Sequence, residues 1–145
     1  MNPLLECAAA CAVGMILISS ADAAEIRGIG NKCLDVRGGI LGNGVQVQIF
    51  ACNGTAAQRW TLVGDEIRGL GGRCLDVAGG NPATGTPVQM FDCNGTAAQE
   101  WMYMDGSIRG IRYQCLDVRG GVIADGTPVQ IFPCNGTAAQ RWTVR

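Results

Sequence analysis

A chain of 145 residues with a formal net charge of −1 has room for one compact domain and not for a second. The near-neutral charge, without long basic runs, excludes nucleic acid and anionic membrane surfaces as main partners. Eight cysteines without a single histidine or Cys-x-x-Cys pair make a zinc site a poor expectation, and no metal or cofactor is expected.

In chain order, the first segment differs from all that follows. Cys7 to Ile18 is an apolar run containing one glycine, and the small-residue tripeptide Ala21-Asp22-Ala23 follows it, which predicts a signal peptide over residues 1–23 and secretion of residues 24–145. The run is too short to span a bilayer comfortably, so no membrane insertion is expected. Its leading stretch carries Glu6 and no Lys or Arg, unlike the positively charged opening of most signal peptides. A mis-assigned start codon, with an incomplete leader or upstream domain, is the alternative.

From Glu25 onward the chain repeats itself. Cysteines recur at 33, 74 and 115 and again at 52, 93 and 134, and tryptophans at 60, 101 and 142, all with a constant period of 41 residues. The three copies run over 25–65, 66–106 and 107–145. Each offers four short strand candidates by apolar alternation: around Ile26, around Leu34 and Val36, from Val45 to Phe50, and around Trp60. Glycine, Asn and Asp punctuate them, as tight turns require. One copy is too small to bury its own apolar face, so the reading is an all-β protein of twelve strands whose copies share one core by three-fold closure. Trp60, Trp101 and Trp142 are the natural contributors to that core; exposed ligand platforms are the other reading.

Two cysteines, Cys7 and Cys11, fall in the expected leader and six remain, two in every copy. Pairing within each copy is the simplest solution: Cys33–Cys52, Cys74–Cys93 and Cys115–Cys134. An oxidising compartment allows this, whereas a cytosolic protein would keep the thiols reduced.

Strand alternation turns the pairing into a site. Cys33 and Asp35 share one face of their strand while Leu34 and Val36 face the core; on the partner, Gln48, Phe50 and Cys52 share the outer face and Val47, Ile49 and Ala51 go inward. With Cys33 opposite Cys52 in an antiparallel pair, Asp35 comes to lie beside Phe50. A carboxylate, an amide and an aromatic ring at one surface spot suit a sugar: hydroxyls take directional hydrogen bonds and the C–H face packs on the ring. The group recurs as Asp76, Gln89 and Phe91 and as Asp117, Gln130 and Phe132. The plainer reading is that each Asp closes a turn and each Phe is partly buried between copies. Asn53-Gly54-Thr55 and its two repeats match glycosylation sequons, and a turn is the preferred reading of them.

Gln58-Arg59-Trp60, Gln99-Glu100-Trp101 and Gln140-Arg141-Trp142, each preceded by Cys-Leu-Asp-Val and Cys-Asn-Gly-Thr, resemble the Gln-x-Trp signature of the ricin-type β-trefoil lectins and related carbohydrate-binding modules. The resemblance covers 25–145. It implies a β-trefoil with up to one sugar site per lobe, with Gln58, Gln99 and Gln140 in the structural core beside the tryptophans, and it adds Asn53, Asn94 and Asn135 as sugar contacts. One departure stands out: many sugar-binding relatives carry Asn just before the Gln, where this chain has Ala57, Ala98 and Ala139. The expectation is therefore a secreted, monomeric, non-catalytic lectin with weak multivalent sites for galactose-, lactose- or xylan-type glycans. An enzyme is disfavoured because there is no histidine, no phosphate loop, and the three aspartates fall in separate lobes, too dispersed for a glycosidase pair. A protein-binding trefoil, such as a toxin attachment subunit or protease inhibitor, is the alternative.

Overall fold

The computed structural model describes residues 23–145, so the expected leader lies, all but Ala23, outside the described residues together with Cys7 and Cys11. Lobe 1 comprises β1 (Ile26–Arg27), β2 (Cys33–Val36), β3 (Val45–Phe50) and β4 (Thr61–Val63). Lobe 2 comprises β5 (Glu66–Arg68), β6 (Cys74–Val77), β7 (Val88–Phe91) and β8 (Met102–Met104), and lobe 3 comprises β9 (Ser107–Arg109), β10 (Cys115–Val118), β11 (Val129–Phe132) and β12 (Thr143–Val144). The expected twelve strands are all present among the described residues, joined by three-residue 3-10 turns and no α-helix. No described helix is long and apolar enough to cross a membrane. The fourth strand begins one residue after the tryptophan; Trp60 itself makes an isolated bridge to Ala24.

All pairings are antiparallel, and the last strand closes on the first through Ile26↔Val144 and Arg27↔Thr143. Around the pseudo-threefold axis β3 pairs with β7, while β11 joins them only through the bridges Gln48↔Pro128 and Pro87↔Gln130. Proline has no N–H to give a ladder, which is why β7 and β11 are four residues long and β3, with Gln46 at the equivalent position, is six. The Gln46 amide turns this asymmetry to use, its Nε2 donating to Val47 O at 2.7 Å and Val88 O at 3.0 Å.

The core sits on the axis. Leu34, Val36, Val47 and Ile49, with their counterparts in the other lobes, are essentially inaccessible, and Trp60, Trp101 and Trp142 close the layer beneath them. Each indole N–H donates to the carbonyl of the Leu in the second strand of its lobe, Trp60 Nε1 to Leu34 O at 3.0 Å and likewise Trp101 to Leu75 and Trp142 to Leu116, so burying the ring leaves no orphan donor. The rings lie flat against glycine: a Cβ on Gly69 would come within 2.6 Å of Trp60 Cζ3. Leu62, two residues beyond Trp60, is nonetheless exposed.

The three disulfides are those expected, Cys33–Cys52, Cys74–Cys93 and Cys115–Cys134, with Cα–Cα distances of 5.0, 5.0 and 5.1 Å. The strand register differs from the one inferred from them. Cys33 lies opposite Phe50 and Asp35 opposite Gln48, so the disulfide is a diagonal that reaches two residues past the end of the ladder. β3 ends at Phe50, and Ala51, expected to point inward, is exposed because the alternation stops there.

Candidate functional site

The register brings the expected side chains together at a cavity in each lobe. The cavities measure 410, 390 and 480 Å³ in lobes 1, 2 and 3. In lobe 1 Asp35 and Gln48 are cross-strand partners, and Gln48 Nε2 donates to Asp35 Oδ1 at 3.0 Å. Asp76 and Gln89 repeat the contact at 3.1 Å, and Asp117 and Gln130 at 3.0 Å.

Asp35 was expected on the surface, and it is buried, at 5 % exposure, with Asp76 and Asp117 alike. Its side chain does leave β2 away from the core, but the turn Ala56–Gln58 folds back over that face and covers it. Gln58 does the covering. Its Nε2 donates to Asp35 Oδ2 at 2.9 Å and to Ala51 O at 3.0 Å, and its Oε1 accepts from Asn53 N at 2.8 Å. Gln99 and Gln140 make the same three contacts in their lobes. Gln58, Gln99 and Gln140 are thus buried, as expected for core residues, and they also orient the cavity carboxylate, a role that reading them only as core partners of Trp misses. A carboxylate has about four acceptor positions, so two amide donors hold Asp35 in place and leave two acceptor positions for a ligand.

Phe50, Phe91 and Phe132 are the exposed members of the group, at 37, 36 and 37 %, and each lines its cavity. Asn53, Asn94 and Asn135 line the cavities too. The Asn53 Oδ1 is engaged by Thr55 N at 3.1 Å and Thr55 Oγ1 at 2.7 Å, an Asx turn that is repeated in the other lobes. The turn reading of Asn-Gly-Thr therefore holds, and the side-chain amide group of each Asn is what remains as a donor. Ala57, Ala98 and Ala139 stand on the cavity walls with almost no exposed surface.

Two features went unforeseen. Each cavity borrows an apolar wall from the next lobe: Leu70 for lobe 1, Ile111 for lobe 2 and Ile29 for lobe 3. These residues recur at the period of the repeat, which was the available signal. In lobes 1 and 3 an arginine also fixes the glutamine, Arg37 Nε donating to Gln48 Oε1 at 2.8 Å and Arg119 Nε to Gln130 Oε1 at 3.0 Å. Lobe 2 has Ala78 at that position, and Gln89 is correspondingly less buried than Gln48 and Gln130.

Three lobes closed about an axis, each with a cavity lined by a carboxylate, amides and an aromatic ring, define a β-trefoil. The model of the ricin-type beta-trefoil lectin domain matches residues 64–145, more than half of the chain, and the chain belongs to this family. Solved structures agree on the fold. The agglutinin of Abrus precatorius is 26 % identical with a TM-score of 0.76, the match covering 87 % of this chain and 49 % of that one. The chain thus spans about half the length of the agglutinin chain. ThreeFoil, a designed 3-fold symmetric protein, is 22 % identical with a TM-score of 0.76 over 84 % of this chain and 96 % of its own. The C-half of the earthworm R-type lectin, solved in complex with GalNAc, is 18 % identical with a TM-score of 0.72 over 86 % of this chain and 98 % of that one. No curated protein sequence matches the chain.

Proposed function

We propose that the protein is a secreted, monomeric lectin that holds galactose-, lactose- or xylan-type glycans in up to three weak sites, one per lobe, without catalysing a reaction on them. The observation that carries the reading is the Asp–Gln–Phe cavity repeated three times, with the carboxylate fixed by two amides and the ring left open. Within each site Asp35, Asp76 or Asp117 accepts from sugar hydroxyls. Gln48, Gln89 or Gln130 donates its second N–H, and Asn53, Asn94 or Asn135 adds an amide donor at the rim. Phe50, Phe91 or Phe132 stacks on the C–H face. The family membership supports carbohydrate as the ligand, and the GalNAc held by the earthworm lectin supports the galactose-type reading. Each Asp is engaged by glutamines of its own lobe, an arrangement that suits orientation of a bound sugar and not a pair of carboxylates acting on one bond. Three intra-lobe disulfides support export, since thiols in the cytosol are kept reduced.

The test is a glycan array followed by titration of the triple variant Phe50→Ala, Phe91→Ala and Phe132→Ala. These rings are exposed and hold none of the Asp–Gln hydrogen bonds, so thermal unfolding is expected to stay close to wild type while sugar binding is lost. Undiminished binding by a folded triple variant sinks the assignment of the sites.

A further inference from the structure

The three-fold repeat is broken at one seam. Between lobes 2 and 3 lies a further cavity of 380 Å³, bounded by Glu100, Trp101 and Met102 on one side and by Arg109, Arg112 and Tyr113 on the other. At the two equivalent seams the residues in place of Glu100 and Met102 are Arg59 with Thr61 and Arg141 with Thr143, and those in place of Arg112-Tyr113 are Gly71-Gly72 and Gly30-Asn31.

Three observations set this seam apart. First, Arg112 and Tyr113 have φ of 54° and 60°, the left-handed region where glycine stands in lobe 2 and a side chain is disfavoured. Tyr113 is also the most exposed large apolar side chain among the described residues, at 66 %. Second, the change is accommodated by a neighbour. A Cβ on Gly71 would meet Leu41 Cδ1, and one on Gly30 would meet Ile123 Cγ2, at well under contact distance; the residue equivalent to Leu41 and Ile123 across from Arg112 is the smaller Pro82, whose carbonyl is held by Gln114 Nε2. Third, Arg27 and Arg68 are tied to Glu25 and Glu66, but Arg109 has Ser107 at that position and bonds only its hydroxyl, at 3.1 Å.

The seam cavity also adjoins the lobe 2 site: Ala97 and Ile111 line both. We propose that it is a second subsite of lobe 2, taking the next neutral sugar unit of a chain whose first unit lies over Phe91. This rests on the sugar reading of the lobe 2 cavity. Tyr113 supplies the stacking face that Phe91 supplies next door. Arg109 and Arg112 line the cavity together with Asp65 and Glu100, a set balanced in charge that brings both donors and acceptors for hydroxyls and offers a charged unit no net attraction. Lobe 2 is therefore an oligosaccharide site, and lobes 1 and 3 hold single units.

The experiment uses the full chain with Phe50→Ala and Phe132→Ala, so that lobe 2 alone reports, with and without R112G/Y113G. Those two glycines restore what lobe 2 has at 71 and 72, and the melting temperature is expected not to fall. The probes are galactose, xylose, lactose, xylotetraose and xylotetraose bearing a glucuronic acid. The expected result is that lactose or xylotetraose binds about tenfold tighter than its monosaccharide, and that R112G/Y113G removes this gain while monosaccharide affinity stays unchanged. If the longer sugars gain nothing, or keep their gain in R112G/Y113G, the subsite is overturned and the lobe 2 sugar site stands. If only the acidic tetraose gains, the neutral-sugar assignment is wrong. If no probe binds even the chain with all three phenylalanines intact, the lectin reading fails and the subsite with it.

Discussion

At the residue scale the site depends on a buried glutamine that lies outside the lining of its cavity. A buried carboxyl group needs directed hydrogen-bond partners, and Gln58 gives Asp35 one while tying the turn that roofs it. Gln58→Ala leaves Asp35 Oδ2, Ala51 O and Asn53 N short of partners; we expect a loss of about 2 kcal/mol in denaturant unfolding together with loss of binding in lobe 1. A variant as stable as wild type would mean that water replaces the amide at no cost. Ala57 is the opposite case. It stands on the cavity wall across from Gly39, whose missing side chain leaves room there. Ala57→Asn should add one hydrogen bond to a bound sugar, about 1 kcal/mol or roughly fivefold in affinity by titration; unchanged affinity would show that the sugar does not reach that wall. Asp35, Gln48 and Phe50 were legible in the sequence because their alternation and their repetition are both one-dimensional patterns. The burial of Asp35 was not, because it comes from a turn more than twenty residues away.

At the scale of elements, the disulfide pairing followed from the repeat, yet the register did not follow from the pairing. Cysteine pairs tolerate a range of Cα separations, so a bridge fixes neighbourhood without fixing which residues face each other. Here the bridge joins the start of β2 to the coil beyond β3 and closes a loop of about twenty residues, worth roughly 3 kcal/mol in the chain-entropy model. Replacing Cys33 and Cys52 by alanine should lower the free energy of unfolding in denaturant by about that amount, and mass mapping of the unreduced chain should find no free thiol among the six cysteines of 24–145. The lobes are also joined by polar contacts between elements. Lys32 of lobe 1 meets Asp125 of lobe 3 at 2.7 Å, and Asp125 also accepts from Ala51 N at 2.9 Å. The Lys32 hydrogen bond, against a smaller opposing effect of desolvation, lowers the Asp125 pKa below the ordinary carboxylate value. A folded-state pKa that is depressed gives stability present above the unfolded value and lost as pH falls through the folded one. The melting-temperature advantage of wild type over Lys32→Met should therefore be present at neutral pH and fade in acid below the ordinary Asp range; an advantage independent of pH would assign it to packing of the lysine stem. The pair is exposed, and salt should weaken it.

At the scale of the whole molecule, near-perfect repetition is what made the fold readable: constant spacing of Cys and Trp marks three equal copies, each too small to bury its own apolar face, and closure about an axis is the economical way for them to share one core. What repetition hides is the positions where the copies differ. Gln46 in place of proline, Ala78 in place of arginine, and Arg112-Tyr113 in place of Gly71-Gly72 or Gly30-Asn31 make the three lobes unequal, and their effect is visible only once the lobes are assembled. The inequality shapes the last prediction. Shallow single-sugar sites are expected near ~1 mM, about −4 kcal/mol each, which is too weak for one lobe to retain a soluble ligand. Sites spread around an axis can engage a polysaccharide or a dense surface glycan at two or more points, which raises avidity by roughly 10². Weak binding of free sugar and firm retention on an insoluble glycan should then coexist. Phe50→Ala, Phe132→Ala and Phe91→Ala, made singly and in pairs, should reduce retention stepwise, with the largest single loss at Phe91 because lobe 2 holds the longer stretch of chain. If one of the three single variants abolishes retention outright, a single lobe carries the function; if all three fall equally, the lobes are equivalent and the seam between lobes 2 and 3 contributes nothing.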